Sequence, residues 1–398
     1  MPGLELRRLV FVTHRYVGLV MALFLLIAAV TGCLLVFRAT LDAALNPSFF
    51  AIPVRPALPA TELVQRLQQA HPGWRVQSFD LQTQPGQVLH VGVGALHSDG
   101  HDAIIEGADQ VFVDPADARV VGMRSSGAGI DRPHLFQAIY LLHYTLLAGT
   151  AGRWLMGIVA LAWLVSNGLG VWITWPRRRP WLAGWRPAWV TTRARLHRRP
   201  MPELHRVGGV WLLVPLTVLA ITSVAMNFYD ELFRPLVEMV SPPRVSPFDR
   251  PPATPASSGP TIGFAAAERI AIAAASTQTP SLAPVAMTDD PVHDFYDIGF
   301  APGGTSLYED FGRVTYSIDR HTGQLAWIDR PRLDGTGRLV LRALYPLHSG
   351  QVFGLPTRLL VLLLGVVTAG LAVTGFLPWW RRRHMRRRQA HARTPEHI

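Results

Sequence analysis

The chain contains no lysine, so all 38 of its Lys-plus-Arg positions are arginine. Against 27 acidic residues they leave a formal charge of +11, which invites a nucleic-acid reading. Their placement argues otherwise. Arg177-Arg178-Arg179 follows one apolar run, and Arg381-Arg382-Arg383 with Arg386-Arg387-Arg388 follows another. Basic clusters directly after apolar runs mark the cytoplasmic ends of membrane spans. No basic stretch carries a nucleic-acid-binding motif, so nucleic acid is excluded as a partner. Cysteine is almost absent as well. The single Cys33 sits inside an apolar run and rules out an intrachain disulfide or a thiolate cluster. Charged residues make up only 16% against 49% hydrophobic, too apolar a balance for a simple soluble domain. The chain has no Gly-x-Gly-x-x-Gly after a strand and no Walker motif, so no NAD, FAD or ATP site is evident.

What is present is a duplication. Shifting the chain by 205 residues places Leu142-His143 on Leu347-His348, Gly149 on Gly354, Arg153 on Arg358, Gly170 on Gly375 and Trp175 on Trp380. Shifting it by 191 places His14-Arg15 on His205-Arg206, Gly18 on Gly209, Thr31 on Thr222 and Phe37 on Phe228. Each half therefore repeats two apolar spans, and each span has a histidine near its head.

In chain order, 1–40 holds an N-terminal segment and the first span, whose uncharged core runs from Tyr16 to Phe37. That run is about 22 residues, enough to cross a hydrocarbon core of roughly 30 Å and longer than a signal-peptide core. Residues 41–133 read as a small α+β domain. A helix is expected over Thr61–Ala70 and strands over Val88–Val93, Val111–Asp114 and Arg119–Gly122. Residues 134–176 hold a short surface helix carrying His143, then the second span. Gly149 and Gly152 separate the two, as Pro356 does in the other half. Residues 177–204 form an Arg- and Trp-rich cytoplasmic loop. The third span covers 205–228. Residues 229–347 begin with a Pro/Ser-rich linker and continue as a second α+β domain. There a helix is expected near Ile262–Ala275, strands near Asp294–Phe300 and Arg313–Asp319, and a His321-Thr322-Gly323-Gln324 hairpin into Leu325–Ile328. Residues 348–380 hold a surface segment and the fourth span, and 381–398 form a basic cytoplasmic tail. The fold expected is a four-helix transmembrane bundle built from a duplicated two-span unit, with two small α+β periplasmic domains. Both termini lie inside.

These residues resemble the PepSY-associated transmembrane family. The resemblance rests on His14-Arg15-x-x-Gly18, Leu142-His143, His205-Arg206-x-x-Gly209 and Leu347-His348-Ser349-Gly350. Trp175-Pro176-Arg177-Arg178 and Thr374-Gly375-x-x-Pro378-Trp379-Trp380-Arg381 carry it too, and the loops resemble PepSY modules, most clearly in Ser317–Gln324. The first loop departs from that pattern, with Asp114-Pro115-Ala116-Asp117-Ala118-Arg119 lacking the Thr-Gly turn. The family includes inner-membrane ferric-siderophore reductases that hold haem b between their helices. The resemblance thus implies haem b, one or two per chain, and a ferric siderophore as acceptor. It also implies the lipid bilayer as surroundings and a cytoplasmic or quinol electron donor.

Topology pairs the histidines. His14 and His205 head spans that start inside, and His143 and His348 head spans that start outside. Each pair draws one imidazole from each half, the set needed for bis-histidine haem ligation. Arg15, Arg206, Arg153 and Arg358 are candidate propionate partners, against the ordinary role of arginine at span ends. His134 stands as an alternative to His143. His97 and His101 have metal-like spacing in a polar loop. A non-enzymatic reading remains beside the reductase one: a membrane-anchored PepSY module that binds a periplasmic protein or peptide.

Overall fold

The structure is a computed structural model that describes residues 2–82, 85–95, 108–127, 129–176, 179–242, 244, 259–302 and 311–391. His97 and His101 lie outside the described residues, as does most of the Pro/Ser-rich linker. The described helices are α1 (Pro2–Leu35), α2 (Arg38–Leu45), α3 (Pro47–Phe50), α4 (Ala60–Ala70), α5 (Leu135–Thr145), α6 (Gly149–Thr174), α7 (Trp181–Trp189), α8 (Arg193–Arg198), α9 (Pro200–Trp211), α10 (Leu213–Asn227), α11 (Arg234–Val240), α12 (Phe264–Gln278), α13 (Thr336–Ser349) and α14 (Leu355–His391). The strands are β1 (Trp74–Asp80), β2 (Leu89–Ala95), β3 (Gln110–Val113), β4 (Val120–Arg124), β5 (Ala283–Asp290), β6 (Phe295–Ala301), β7 (Val314–Asp319) and β8 (Leu325–Asp329). The chain folds as two compact units, one of helices (1–36, 139–233, 347–398) and one containing the sheet (37–138, 234–346).

In the helical unit, α1, α6 and α14 are each long and apolar enough to cross a membrane. The third expected span, 205–228, is not one straight helix. It is the pair α9 and α10, bent by 76° at Leu212. Pro215 explains the break. It offers no N–H to the carbonyl of Trp211, and its ring would clash there in a continuous helix. Breaking at Leu212 puts Pro215 in the first turn of α10, where its missing N–H costs little. The first helix also differs from expectation. It runs unbroken from Pro2, so His14 lies inside it and not at its head. The helix α1 packs on α6 and α14, α9 on α14, and α10 on α6. Met21, Leu25 and Val159 form one buried cluster, and Leu216, Leu219 and Leu364 form another.

The second unit corrects the expectation of two separate α+β domains. Its strands form one antiparallel sheet in the order β4-β3-β2-β1-β5-β6-β7-β8. Each half of the chain supplies a four-strand meander, and the two join through β1 and β5 with Phe79 opposite Met287. Joining removes two sheet edges that would otherwise offer unpaired backbone groups. One face carries Val76, Val91, Met287, Ile298, Tyr316 and Ile318, all under 2% exposed. Both α4 and α12 contribute to this core, α4 through Leu63, Val64 and Leu67. The helix α12 offers Ala267, Ala271 and Ala275, spaced four apart, a smooth stripe that lets it lie close.

The two meanders share their last turn. At the second, the backbone N–H groups of His321 and Thr322 donate to Asp319 Oδ1 at 3.0 and 2.7 Å, and Gly323 takes φ +72°. At the first, the N–H of Ala116 donates to Asp114 Oδ1 at 3.0 Å, and Ala118 takes φ +64°. So the first loop keeps the turn without its glycine. An alanine in the left-handed region is strained by about 1 kcal/mol. Ala118→Gly is expected to raise the melting temperature of the sheet by a few degrees, and an unchanged or lower value would contradict this account.

The other face of the sheet carries half-buried acids. Asp297 alternates with the core residues Tyr296 and Ile298 and accepts a hydrogen bond from Ser317 Oγ at 2.5 Å. Burial pushes the carboxyls of Asp297 and Asp80 up to about 6, with Arg313 opposing the shift at both. Gly299 gives the Arg313 side chain room to lie there, since an added Cβ would meet Arg313 Cδ at 2.0 Å. A raised folded-state pKa means that the folded unit holds protons the unfolded chain has lost. This contribution to stability is full below about pH 4 and vanishes as pH rises through about 6. Asp297→Asn keeps the acceptor for Ser317 and should flatten the fall in melting temperature across that window. A slope identical to the parent's would count against it.

Candidate histidine-pair site

The four repeated histidines form two pairs inside the helical unit. His14, on α1, lies beside His205, on α9, with ring centroids 6.3 Å apart and planes at 73°. His143, on α5, lies beside His348, on α13, at 6.2 Å and 63°. The partners in each pair come from different halves of the chain.

The helix breaks put His143 and His348 where they are. After His143 the chain turns through Leu146 and Leu147, both at positive φ, before α6 begins at Gly149 with φ +55°. After His348 it turns through Gly350 before α14, with Gly354 at φ +64°. Each turn closes by backbone-to-backbone approach. An added Cβ on Gly152 would lie 1.6 Å from the Thr145 carbonyl oxygen, and one on Gly350 would lie 2.6 Å from that of Thr357. Thr145 and Gly350 are equivalent positions, as are Gly152 and Thr357. The two repeats thus keep the same close approach with the glycine on opposite partners.

Each of the four imidazoles has an oxygen within hydrogen-bond distance of its Nδ1. Thr31 Oγ1 lies 3.0 Å from His143 Nδ1, and Thr222 Oγ1 lies 3.0 Å from His348 Nδ1. Ser166 Oγ lies 3.0 Å from His14 Nδ1. The Leu371 carbonyl lies 3.0 Å from His205 Nδ1, with Thr374 Oγ1 at 3.3 Å. Among the described residues no hydrogen bond to Nε2 of these four rings is seen. Glycines let the rings sit close to neighbouring helices. A Cβ on Gly32 would be 3.1 Å from His143 Cε1, one on Gly375 would be 3.4 Å from His205 Cε1, and one on Gly170 would be 3.8 Å from His14 Cε1.

This arrangement fits bis-histidine ligation of a haem iron. Two opposed metal–nitrogen bonds of roughly 2.0–2.1 Å, plus roughly 1.1 Å from each nitrogen to its ring centre, put centroids about 6.3 Å apart. Both pairs match that spacing, and the Leu371 carbonyl and the proton-committed Thr31 and Thr222 hydroxyls on Nδ1 favour the tautomer in which Nε2 is the ligand at His205, His143 and His348. Along α1, His14 and Thr31 are 17 residues apart, which places the two sites about 25 Å from each other along its axis.

The arginines are placed less simply. Arg153 pairs with Glu231 at 2.5 Å and also donates to the Asn227 carbonyl. Arg206 pairs with Glu203 at 2.5 Å and donates to the Val190 carbonyl at 3.2 Å. Arg15 reaches the Tyr16 hydroxyl at 3.0 Å. Arg358 lies in the first turn of α14. His134 has both nitrogens engaged, Nδ1 by Asp131 at 2.7 Å and Nε2 by the Ser125 hydroxyl at 3.3 Å. Among the described residues no group of three or more His, Cys, Asp or Glu is placed to hold a bare metal ion. Trp181, Trp185 and Trp189, spaced four apart on α7, form an aromatic row with Trp175 and Trp211 at neighbour distances of 5.2–6.2 Å. That row suits the headgroup zone of a bilayer.

Sequence reasoning missed the four acceptors on Nδ1. Thr31 and Thr222 were visible as an equivalent pair at the 191-residue shift, but their partners are 112 and 126 residues away along the chain. A search of curated proteins finds no match to the chain. The model of the PepSY-associated TM region matches residues 11–382, so the chain, a multi-pass membrane protein, belongs to the PepSY-associated transmembrane family.

Proposed function

We propose that this protein is a haem b oxidoreductase of the bacterial inner membrane. It carries electrons from the His14/His205 side to the His143/His348 side and there reduces a periplasmic ferric siderophore. The observation that carries this reading is the matched geometry of the two pairs, each at the centroid spacing of bis-histidine ligation. Haem bound between such pairs supplies one-electron transfer. The residues do the rest. Each pair would hold the haem iron with two imidazoles, which would suit electron transfer and disfavour O₂ binding. The Nδ1 acceptors fix ring orientation, and Met21, Leu25, Leu216 and Leu364 keep the helix interior apolar. Arg15, Arg206, Arg153 and Arg358 are the candidate propionate partners, and Arg153 and Arg206 also pair with carboxylates. Reducing Fe(III) weakens its hold in a hard-oxygen chelator, which lets iron leave.

The orientation proposed is N-in and C-in, with loops 38–133 and 229–347 on the periplasmic side. It follows from the arginine runs and from the tryptophan row on α7. Electrons would come from a cytoplasmic reductant or from quinol, because the sequence carries neither a Gly-x-Gly-x-x-Gly after a strand nor a Walker motif.

His143→Ala and His348→Ala, compared with the parent in proteoliposomes, test this reading. Each should lose part of the Soret absorption and at least tenfold of the rate at which a ferric hydroxamate outside is reduced by a donor inside. If the helices only anchor the sheet unit, both variants will behave as the parent.

A further inference from the structure

The hydroxyl groups on the His143/His348 pair differ in kind from the carbonyl that meets His205. Thr31 Oγ1 has one hydrogen, and the Ile27 carbonyl one turn back on α1 takes it at 2.6 Å. Thr222 Oγ1 likewise donates one turn back on α10, with the Val218 and Leu219 carbonyls both at 3.0 Å. A hydroxyl whose proton is committed can only accept from a third group. The third group is His143 Nδ1 for Thr31 and His348 Nδ1 for Thr222, each at 3.0 Å, and the Ala28 backbone carbonyl is a further partner of His143. Both threonines are under 7% exposed, so water does not compete for these contacts. The same three-part chain of carbonyl, hydroxyl and imidazole occurs twice, at positions related by the repeat.

We infer that Thr31 and Thr222 are positioning residues that hold His143 and His348 in the tautomer protonated at Nδ1, by relaying each imidazole N–H to a helix carbonyl. The consequence for ligation rests on the haem reading above, but the tautomer does not. Drawing on the Nδ1–H makes the ring a more basic ligand, which favours the ferric state and lowers the potential of the iron it binds. Losing the acceptor reverses that. His205 offers an internal comparison. Its principal acceptor is the Leu371 backbone carbonyl at 3.0 Å, which no side-chain change removes, and Thr374 is a second acceptor at 3.3 Å.

The test is Thr31→Val and Thr222→Val in the full chain, with Thr31→Ser and Thr222→Ser as the conservative pair and Thr374→Val as the comparison. Nitrogen NMR of ¹⁵N-histidine-labelled protein in lipid, prepared without haem, reads the tautomer directly. In the parent, His143 and His348 should show protonated Nδ1 and bare Nε2. Thr222→Val should lose that state at His348, Thr31→Val should weaken it at His143, where the Ala28 carbonyl remains, the serine variants should keep it, and Thr374→Val should leave His205 unchanged. Protein loaded with haem b adds a second readout. Each valine variant should raise one of two midpoint potentials and leave the other in place. Protonated Nε2 in the parent, or valine variants with parental tautomers, would overturn the inference. A parent that binds no haem would instead sink the proposed function, with the tautomer result still standing.

Discussion

An imidazole packed among apolar helices has to satisfy its N–H, because a buried donor without an acceptor costs about 1–3 kcal/mol. This protein meets that demand four times on the same nitrogen. The oxygens that meet Nδ1 are two threonine hydroxyls, one serine hydroxyl and one backbone carbonyl. The shared choice has a structural consequence: every ring presents its second nitrogen to something else. Two rings at about the spacing of a single bridging iron then follow in each pair. The glycines, the helix breaks and the bend at Leu212 can all be read as what it takes to bring those rings there.

Duplication accounts for the pairing. A two-span unit copied in tandem gives two similar helix pairs, and each pair of histidines draws one ring from each copy. The same logic shapes the other unit. Two copies of a four-strand meander join at β1 and β5 into one continuous sheet, with α4 and α12 sharing one core. The copies have diverged where geometry allows. Gly152 and Gly350 sit on opposite partners of the same contact, and Ala118 stands in a left-handed position that Gly323 fills in the second copy.

Much of this was legible in the residues. The two offsets that align His14 with His205 and His143 with His348 already single out the rings that meet. Gly149, Gly152 and Pro356 mark the breaks before α6 and α14. Six of the eight strands carry β-branched or aromatic runs between turn signals. The two that escaped notice, β1 and β5, are the central ones. In Trp-Arg-Val-Gln-Ser-Phe-Asp a register shift between Val76 and Ser78 breaks the alternation of the buried Trp74, Val76 and Phe79, and Ala-Pro-Val-Ala-Met-Thr-Asp-Asp has weak strand propensity and is held by pairing on both sides. For that reason the single sheet was read as two domains. The bend in the third span was readable from Pro215 but hidden by its strongly apolar surroundings. The threonine acceptors could not be read, because contacts more than a hundred residues apart are set by packing and not by local pattern.

The central claim is that each histidine pair holds one haem. The most direct measurement is the haem-to-protein ratio of the full chain purified from haem-replete cells, taken with the low-temperature electron paramagnetic resonance spectrum of the oxidised form. Two haems per chain, both low-spin and bis-histidine in character, are predicted. Protein that is folded, carries no haem and shows no low-spin ferric signal would contradict the account.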